Sequence, residues 1–253
     1  MLFRSDADGE IYLRDLERAG VSYPPPARTA EPTGKCLVLV TPDAERSMNT
    51  YLGASEQLGV EQLNARAIAE ADFLYLEGYL VSSPPSLAAA RRARAIAQEA
   101  GVRVAVGFSD PGMLEHFPAQ FRQLVGEGVD LIFANEAEAL TWTGAASLEA
   151  ALDALSLSAQ RYAVTLGAEG AICFDGVEKH RIAAPAVNAL DSNGAGDMFA
   201  GAFLYALARG EDVATAGRFA SLAASTVVSR WGPRLKPEQY AALRDEFFAT
   251  PTG

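Results

Sequence analysis

Cysteine and histidine are scarce in this sequence: Cys36, Cys173, His116 and His180 are the whole supply in 253 residues. Two thiols cannot build a disulfide framework, and so few scattered thiols and imidazoles make a Cys/His zinc site improbable. Basic residues run short as well, 21 Lys and Arg against 32 Asp and Glu, for a net charge of -11. A surface that acidic argues against a general binder of nucleic acid or of anionic membranes. No apolar run approaches the roughly 20 residues of a membrane span, and residues 1–10 lack a signal peptide's apolar stretch. Internal repeats and low-complexity tracts are missing too. What is left is a soluble, cytoplasmic protein.

Apolar residues make up 49% of the chain, enough for a full-sized core. The length fits one domain, here taken as residues 1–253. Short apolar runs recur at 36–40, 73–76, 102–106, 129–133, 162–166 and 171–174. Most are β-branched or aromatic and bounded by Gly, Asp or Asn, as buried parallel strands are. Helical patterns fill the gaps over 85–100, 147–157, 194–208, 211–230 and 237–248. Strands alternating with helices of this length predict a three-layer α/β/α domain around a mostly parallel sheet. The proline-rich stretch 24–34 is the one linker-like segment, and too little chain precedes it to fold alone.

The chemistry concentrates in Asp191-Ser-Asn-Gly-Ala-Gly-Asp197, directly before the helix at 194–208. Glycines at 194 and 196 let the backbone approach a ligand and aim its N–H groups there, and the helix start adds partial positive charge. A phosphate could be held without Lys or Arg. Asp197 falls in the first helical turn beside it, where it could take the proton of an attacking alcohol. The plain alternative is a glycine-rich helix start with Asp197 as a stabilising charge. The dinucleotide fingerprint fails, because Gly194 and Gly196 are followed by Gly201 rather than by a glycine three positions on. Thr33-Gly34-Lys35-Cys36 lacks the first glycine and the hydroxyl of a P-loop.

Asp191-Ser-Asn-Gly-Ala-Gly-Asp197 with the following Met-Phe-Ala-Gly-Ala-Phe closely resembles the D-T-x-G-A-G-D signature of the ribokinase-like, or PfkB, family of carbohydrate and nucleoside kinases. Asn135-Glu-Ala-Glu138 resembles the family's N-x-x-E motif, and Val164-Thr-Leu-Gly-Ala-Glu-Gly170 its V-T-x-G-x-x-G turn. All three stand in the family's order, and the similarity runs from about 6 to 247. The resemblance implies an ATP-dependent kinase acting on a primary hydroxyl, with Asp197 as base and Gly194, Ala195 and Gly196 as an anion hole. It implies Asn135, Thr165, Gly167 and Gly170 at the ATP site and Glu138 holding Mg2+ through water. It extends to Asp191 near a monovalent cation, K+ in some members. Taken singly, N-x-x-E is more often a helix-start pair, and Thr165, Gly167 and Gly170 an ordinary hairpin.

Residues 41–54, with Arg46 and Asn49, read most like the adenosine-kinase-like branch. By that resemblance 36–54 forms a small lid, and Arg46 and Asn49 lie near the acceptor or the transferred phosphate. Ser109-Asp-Pro-Gly112 ends another strand and either lines the same crevice or makes a plain turn. Tyr12, Tyr23, Tyr51 and Tyr79 could stack on a base but read more readily as core, as do Trp142 and Trp231. The partners implied are ATP and a small nucleoside or sugar, with a homodimer compatible.

One departure from the family pattern stands out. Residues 6–21 resemble a segment that normally follows several strands and a glycine-pair motif, so the fold reads as incomplete at its amino end. The missing part would supply the acceptor-binding Asp and central strands, and the chain alone is expected to be poorly stable and weakly active or inactive. Competing readings are a sugar kinase of ribokinase or fructokinase type, and a truncated, non-catalytic nucleotide binder. A nicotinamide-dependent oxidoreductase is disfavoured by the glycine spacing.

Overall fold

The computed structural model describes residues 5–23, 30–41 and 46–249. Helix α1 (Ala7–Arg18) leads into a hairpin of β1 (Thr33–Val40) and β2 (Arg46–Gly53). Asp6 caps α1 and fastens it to this hairpin, since its carboxylate accepts from the N–H groups of Gly9 and Thr33, both at 2.9 Å. Then follow α2 (Ala65–Ala69), β3 (Phe73–Glu77), α3 (Pro84–Glu99), β4 (Arg103–Gly107), α4 (Pro111–His116), α5 (Pro118–Val125) and β5 (Val129–Asn135). The rest is α6 (Glu136–Thr143), α7 (Leu148–Leu155), β6 (Ala159–Thr165), β7 (Ala171–Phe174), β8 (Lys179–Ile182), α8 (Ala195–Ala208), α9 (Val213–Val228) and α10 (Pro237–Ala249).

Strands β3 to β8 form one sheet in sequence order, parallel from β3 to β6 and antiparallel through β7 and β8. Its two faces are read off by alternation. Val104, Val106, Ile132, Ala134, Tyr162 and Val164 point into a core shared with α3, α5 and α7. Ala105, Leu131, Phe133, Ala163 and Cys173 point into a second core with α8 and α9. Burial on both faces is why these strands read as near-continuous apolar runs. The three-layer α/β/α expectation with a mostly parallel sheet therefore holds.

Two of the apolar runs depart from the parallel-strand pattern, as the lid and hairpin readings of these segments imply. Residues 36–40 do not lie in the parallel sheet: they belong to β1, which pairs antiparallel with β2 as a separate two-stranded sheet. Leu37 and Leu39 are 63% and 55% exposed. An apolar run there serves a hairpin standing off the body, the place expected of a lid. Residues 171–174 are a strand, but an antiparallel one, and β8, rich in charge, had no apolar signal to announce it. Trp142 packs as expected, its ring 5.1 Å from that of Phe108, whereas Trp231 is 70% exposed and is not a core residue. Residues 24–29 of the proline-rich stretch fall outside the described residues.

Candidate active site

In a parallel sheet every strand points the same way, so β3, β4, β5 and β6 deliver their last residues, Glu77, Gly107, Asn135 and Thr165, to one edge. The N-terminus of α8 arrives at that edge. Together they enclose a cleft of about 470 Å³ lined by all four and by Gly194, Ala195, Gly196 and Asp197. A second cavity, of about 540 Å³, opens at the opposite ends of the strands beside Arg103 and Asp130, where no motif residue converges.

Gly194 is the N-cap of α8 and sits at φ +77, a conformation that only glycine adopts freely. A Cβ there would also lie 2.2 Å from the carbonyl oxygen of Pro233. Ala195 donates its N–H back to Ser192, but no side chain caps the helix start. The first-turn N–H groups of Gly196 and Asp197 have no helical acceptor, and both residues line the cleft. Gly196 has open space where a side chain would be. The geometry is that of an anion cradle.

Asp197 stands exposed in the first turn. Asp191, by contrast, is buried, and its two oxygens accept from the N–H groups of Asn193 at 2.9 Å and Gly232 at 3.0 Å. It ties the loop before α8 to the segment after α9, and it is not among the residues that line the cleft.

Asn135 and Glu138 form a reciprocal cap on α6. Asn135 Oδ1 accepts from the Glu138 N–H at 2.8 Å, and the Glu138 carboxylate accepts from the N–H and side-chain amide of Asn135, both at 2.9 Å. A helix-start pair ordinarily sits on a wet surface. Here Glu138 is 5% exposed and lines the cleft.

Thr165 and Gly167 line the cleft as well. Gly170 does not, and the reason for its glycine is internal to the hairpin: at φ +92 a Cβ would lie within 1.9 Å of the Ile182 carbonyl oxygen in β8. In the β1–β2 hairpin Val38 pairs with Met48 and Leu37 with Asn49. Met48 lines the cleft, so alternation turns Asn49 to the other face. The backbone of Arg46 opens β2, and its side chain lies outside the described residues.

Ser109, which the sequence offers as either a crevice residue or part of a plain turn, lines the cleft and joins Tyr75 and Glu77, which no motif singles out. Tyr75 and Glu77 alternate on the β3 face toward α8, and the Tyr75 hydroxyl donates to Glu77 Oε2 at 2.9 Å. Ser109 donates to the other carboxylate oxygen and accepts from the Gly78 N–H at 2.9 Å. Ser109 holds φ +73, the only non-glycine residue with positive φ among those described. Strain of that kind gathers where a side chain must be aimed. Burial pushes the Glu77 carboxyl above its ordinary range, and the Asp197 charge pushes it further. Bonds from Ser109, Tyr75 and the Gly78 N–H work against both. Burial and the Glu77 charge likewise keep the Tyr75 phenol protonated. The only local signal was a carboxylate two residues after a tyrosine at a strand's end; the Ser109 half is set by register, which pairs Glu77 with Gly107.

The cleft thus carries three carboxylates, Glu77, Glu138 and Asp197, and no Lys or Arg among the described residues that line it. Such a lining can hold phosphates through backbone N–H groups and needs a bound cation to offset the remaining charge. A donor set of oxygens only, partly buried, suits a hard divalent ion that keeps its water.

A family model described as pfkB family carbohydrate kinase matches residues 5–239. The adenosine kinase of Schizophyllum commune is 30% identical over 243 residues, covering 87% of this chain and 70% of its own. Among solved structures, the adenosine kinase from Sinorhizobium meliloti superposes with a TM-score of 0.91 at 34% identity, covering 96% of this chain and 76% of that one. A probable sugar kinase from Rhizobium etli CFN 42 has a TM-score of 0.91 at 34% identity, with 97% and 76% covered.

Proposed function

The chain belongs to the pfkB family of carbohydrate kinases, and from that premise we propose that it moves the γ-phosphoryl group of ATP to a primary hydroxyl of an adenosine-like nucleoside. It is a phosphotransferase acting on an alcohol. The observation that carries the reading is the uncapped start of α8, with Gly196 open to the cleft and Asp197 one residue on.

In this reading the amides at Gly194, Gly196 and Asp197 hold the transferred phosphoryl group and meet the charge that grows on its oxygens, while the Ala195 amide of the same turn stays with the Ser192 carbonyl. Asp197 accepts the proton of the attacking hydroxyl at its carboxylate. Thr165 and Gly167 flank the nucleotide at the end of β6. Asn135 and Glu138, rigid in their mutual cap, would hold magnesium through water. When bound with the nucleotide, that ion supplies the positive charge the cleft lacks. Glu77 stands as a second carboxylate behind Asp197, fixed by Tyr75 and Ser109. The lid hairpin closes over the acceptor with Met48 on its inner face, and Arg46 enters the proposal through the resemblance alone.

The nucleoside choice rests on the relatives named adenosine kinase. The probable sugar kinase, equal in identity and superposition, supports a plain sugar acceptor as the second reading. Incubating the protein with radiolabelled ATP and adenosine, ribose or fructose in turn separates them. The expected result is label on adenosine at a rate well above either sugar, however slow the turnover. Transfer to a sugar alone rejects the nucleoside, and equal labelling of all three rejects any specificity.

A further inference from the structure

The turn between β7 and β8 lies away from the cleft and plays no part in the chemistry above. It brings together Asp175, Glu178 and His180, whose donor atoms all fall within 4.8 Å of one another. Asp175 Oδ2 lies 2.8 Å from His180 Nε2, and Glu178 Oε1 lies 3.9 Å from the same nitrogen. A tetrahedral ion with bonds near 2.0–2.1 Å separates its ligands by about 3.3 Å. The two measured gaps bracket that value.

The turn is built before any ion arrives. Asp175 Oδ1 accepts from the N–H groups of Val177 at 2.7 Å and Glu178 at 2.8 Å. That fixes the carboxylate and leaves Oδ2 facing the imidazole. The charge around His180 is one-sided. Its neighbours in β8 alternate to the other face and are engaged there, Lys179 with Asp153 and Arg181 with Glu169 at 3.0 Å. One imidazole therefore meets the two carboxylates of the turn, while Lys179 and Arg181 are paired on the other face and Arg161 donates to the Asp175 carbonyl oxygen at 3.4 Å.

We propose that Asp175, Glu178 and His180 form a binding site for a divalent transition-metal ion, with Zn2+ the best match. Imidazole nitrogen with two carboxylates suits zinc, and water completes the fourth position. On binding, the ion replaces the hydrogen between Nε2 and Oδ2, and both atoms become ligands. Magnesium and calcium prefer all-oxygen sites and compete poorly for a histidine.

The test is calorimetric titration of the chelator-stripped protein with ZnCl2 in excess Mg2+, which keeps the cleft's carboxylates occupied. The expected result is one equivalent of zinc bound, with His180→Ala weakening it at least about tenfold, the lower end of what even an outer partner is worth to a metal site. Glu178→Gln leaves the Asp175–His180 link intact and guards against a folding defect, and it is expected to weaken zinc as well. A Co2+ titration giving the absorption of a tetrahedral site in the wild type, and losing it in His180→Ala, supports the same ligands. No zinc bound by the wild type, or equal zinc bound by both variants, overturns the proposal and leaves the three side chains as a salt link closing the turn.

Discussion

The hydroxyl of Tyr75 fills the space that a side chain on Gly107 would need: a Cβ there would sit 2.2 Å from Tyr75 Oη, with the ring carbon behind it at 3.1 Å. Gly107 is not in a left-handed conformation, so its glycine is explained by room for that oxygen, which in turn reaches Glu77. Two neighbouring strands are thus fitted to each other so that a carboxylate can stand in the cleft.

That fit predicts a double-mutant result. Gly107→Ala is expected to cost about 1–3 kcal/mol through overpacking. Phenylalanine at position 75 removes the clashing oxygen, so Gly107→Ala made in Tyr75→Phe costs less than in the wild type, by about 0.5 kcal/mol or more. Urea unfolding of the four proteins checks this, and strict additivity contradicts it.

Glu77 gives a prediction in pH. Its folded carboxyl keeps a proton to higher pH than the usual value of 4.5, because burial and then the Asp197 charge disfavour the ion. The folded state therefore binds more protons than the unfolded chain above that value, and stability falls as pH rises through the raised pKa. Glu77→Gln cannot ionise. Its melting temperature relative to the wild type is expected to climb as pH rises above the usual value of 4.5 and through the raised pKa. A flat difference across that range contradicts the assignment.

The two glycines of the cradle are expected to part company. Gly194→Ala meets both the strained φ and the Pro233 carbonyl, and should cost about 1–3 kcal/mol of stability. Gly196→Ala meets nothing in the protein and should leave stability within about 0.5 kcal/mol. It still places a methyl where the phosphate approaches, so phosphoryl transfer should fall at least about tenfold. Thermal melts and transfer rates on both variants decide. A Gly196→Ala protein with wild-type transfer removes the phosphate from this turn.

Much of this was legible in order along the chain. The loop 191–197 announced itself because glycine, helix start and aspartate are adjacent, and every requirement of an anion cradle is local. The buried strands were legible because both faces are covered. What could not be read was whatever depends on a distant partner. Residues 36–40 carry the same apolar signal as a core strand, and their pairing with β2 in a separate hairpin is implied by the resemblance and not by the run itself. Gly170 looks like one more glycine near a nucleotide until β8 is seen against it. Asn49 has the right neighbours in sequence and the wrong parity, one residue from Met48. The Tyr75, Glu77 and Ser109 set joins the ends of two parallel strands, and only register brings those together.

The account rests on Asp197 taking a proton beside amides that hold a phosphate, and one comparison reaches it directly. Asp197→Asn keeps the shape of the first turn and removes the base. Phosphoryl transfer to the preferred acceptor is expected to drop by about 10²–10⁴-fold, while ATP affinity measured by titration stays close to that of the wild type. A variant that keeps more than about a tenth of the rate contradicts the assigned chemistry.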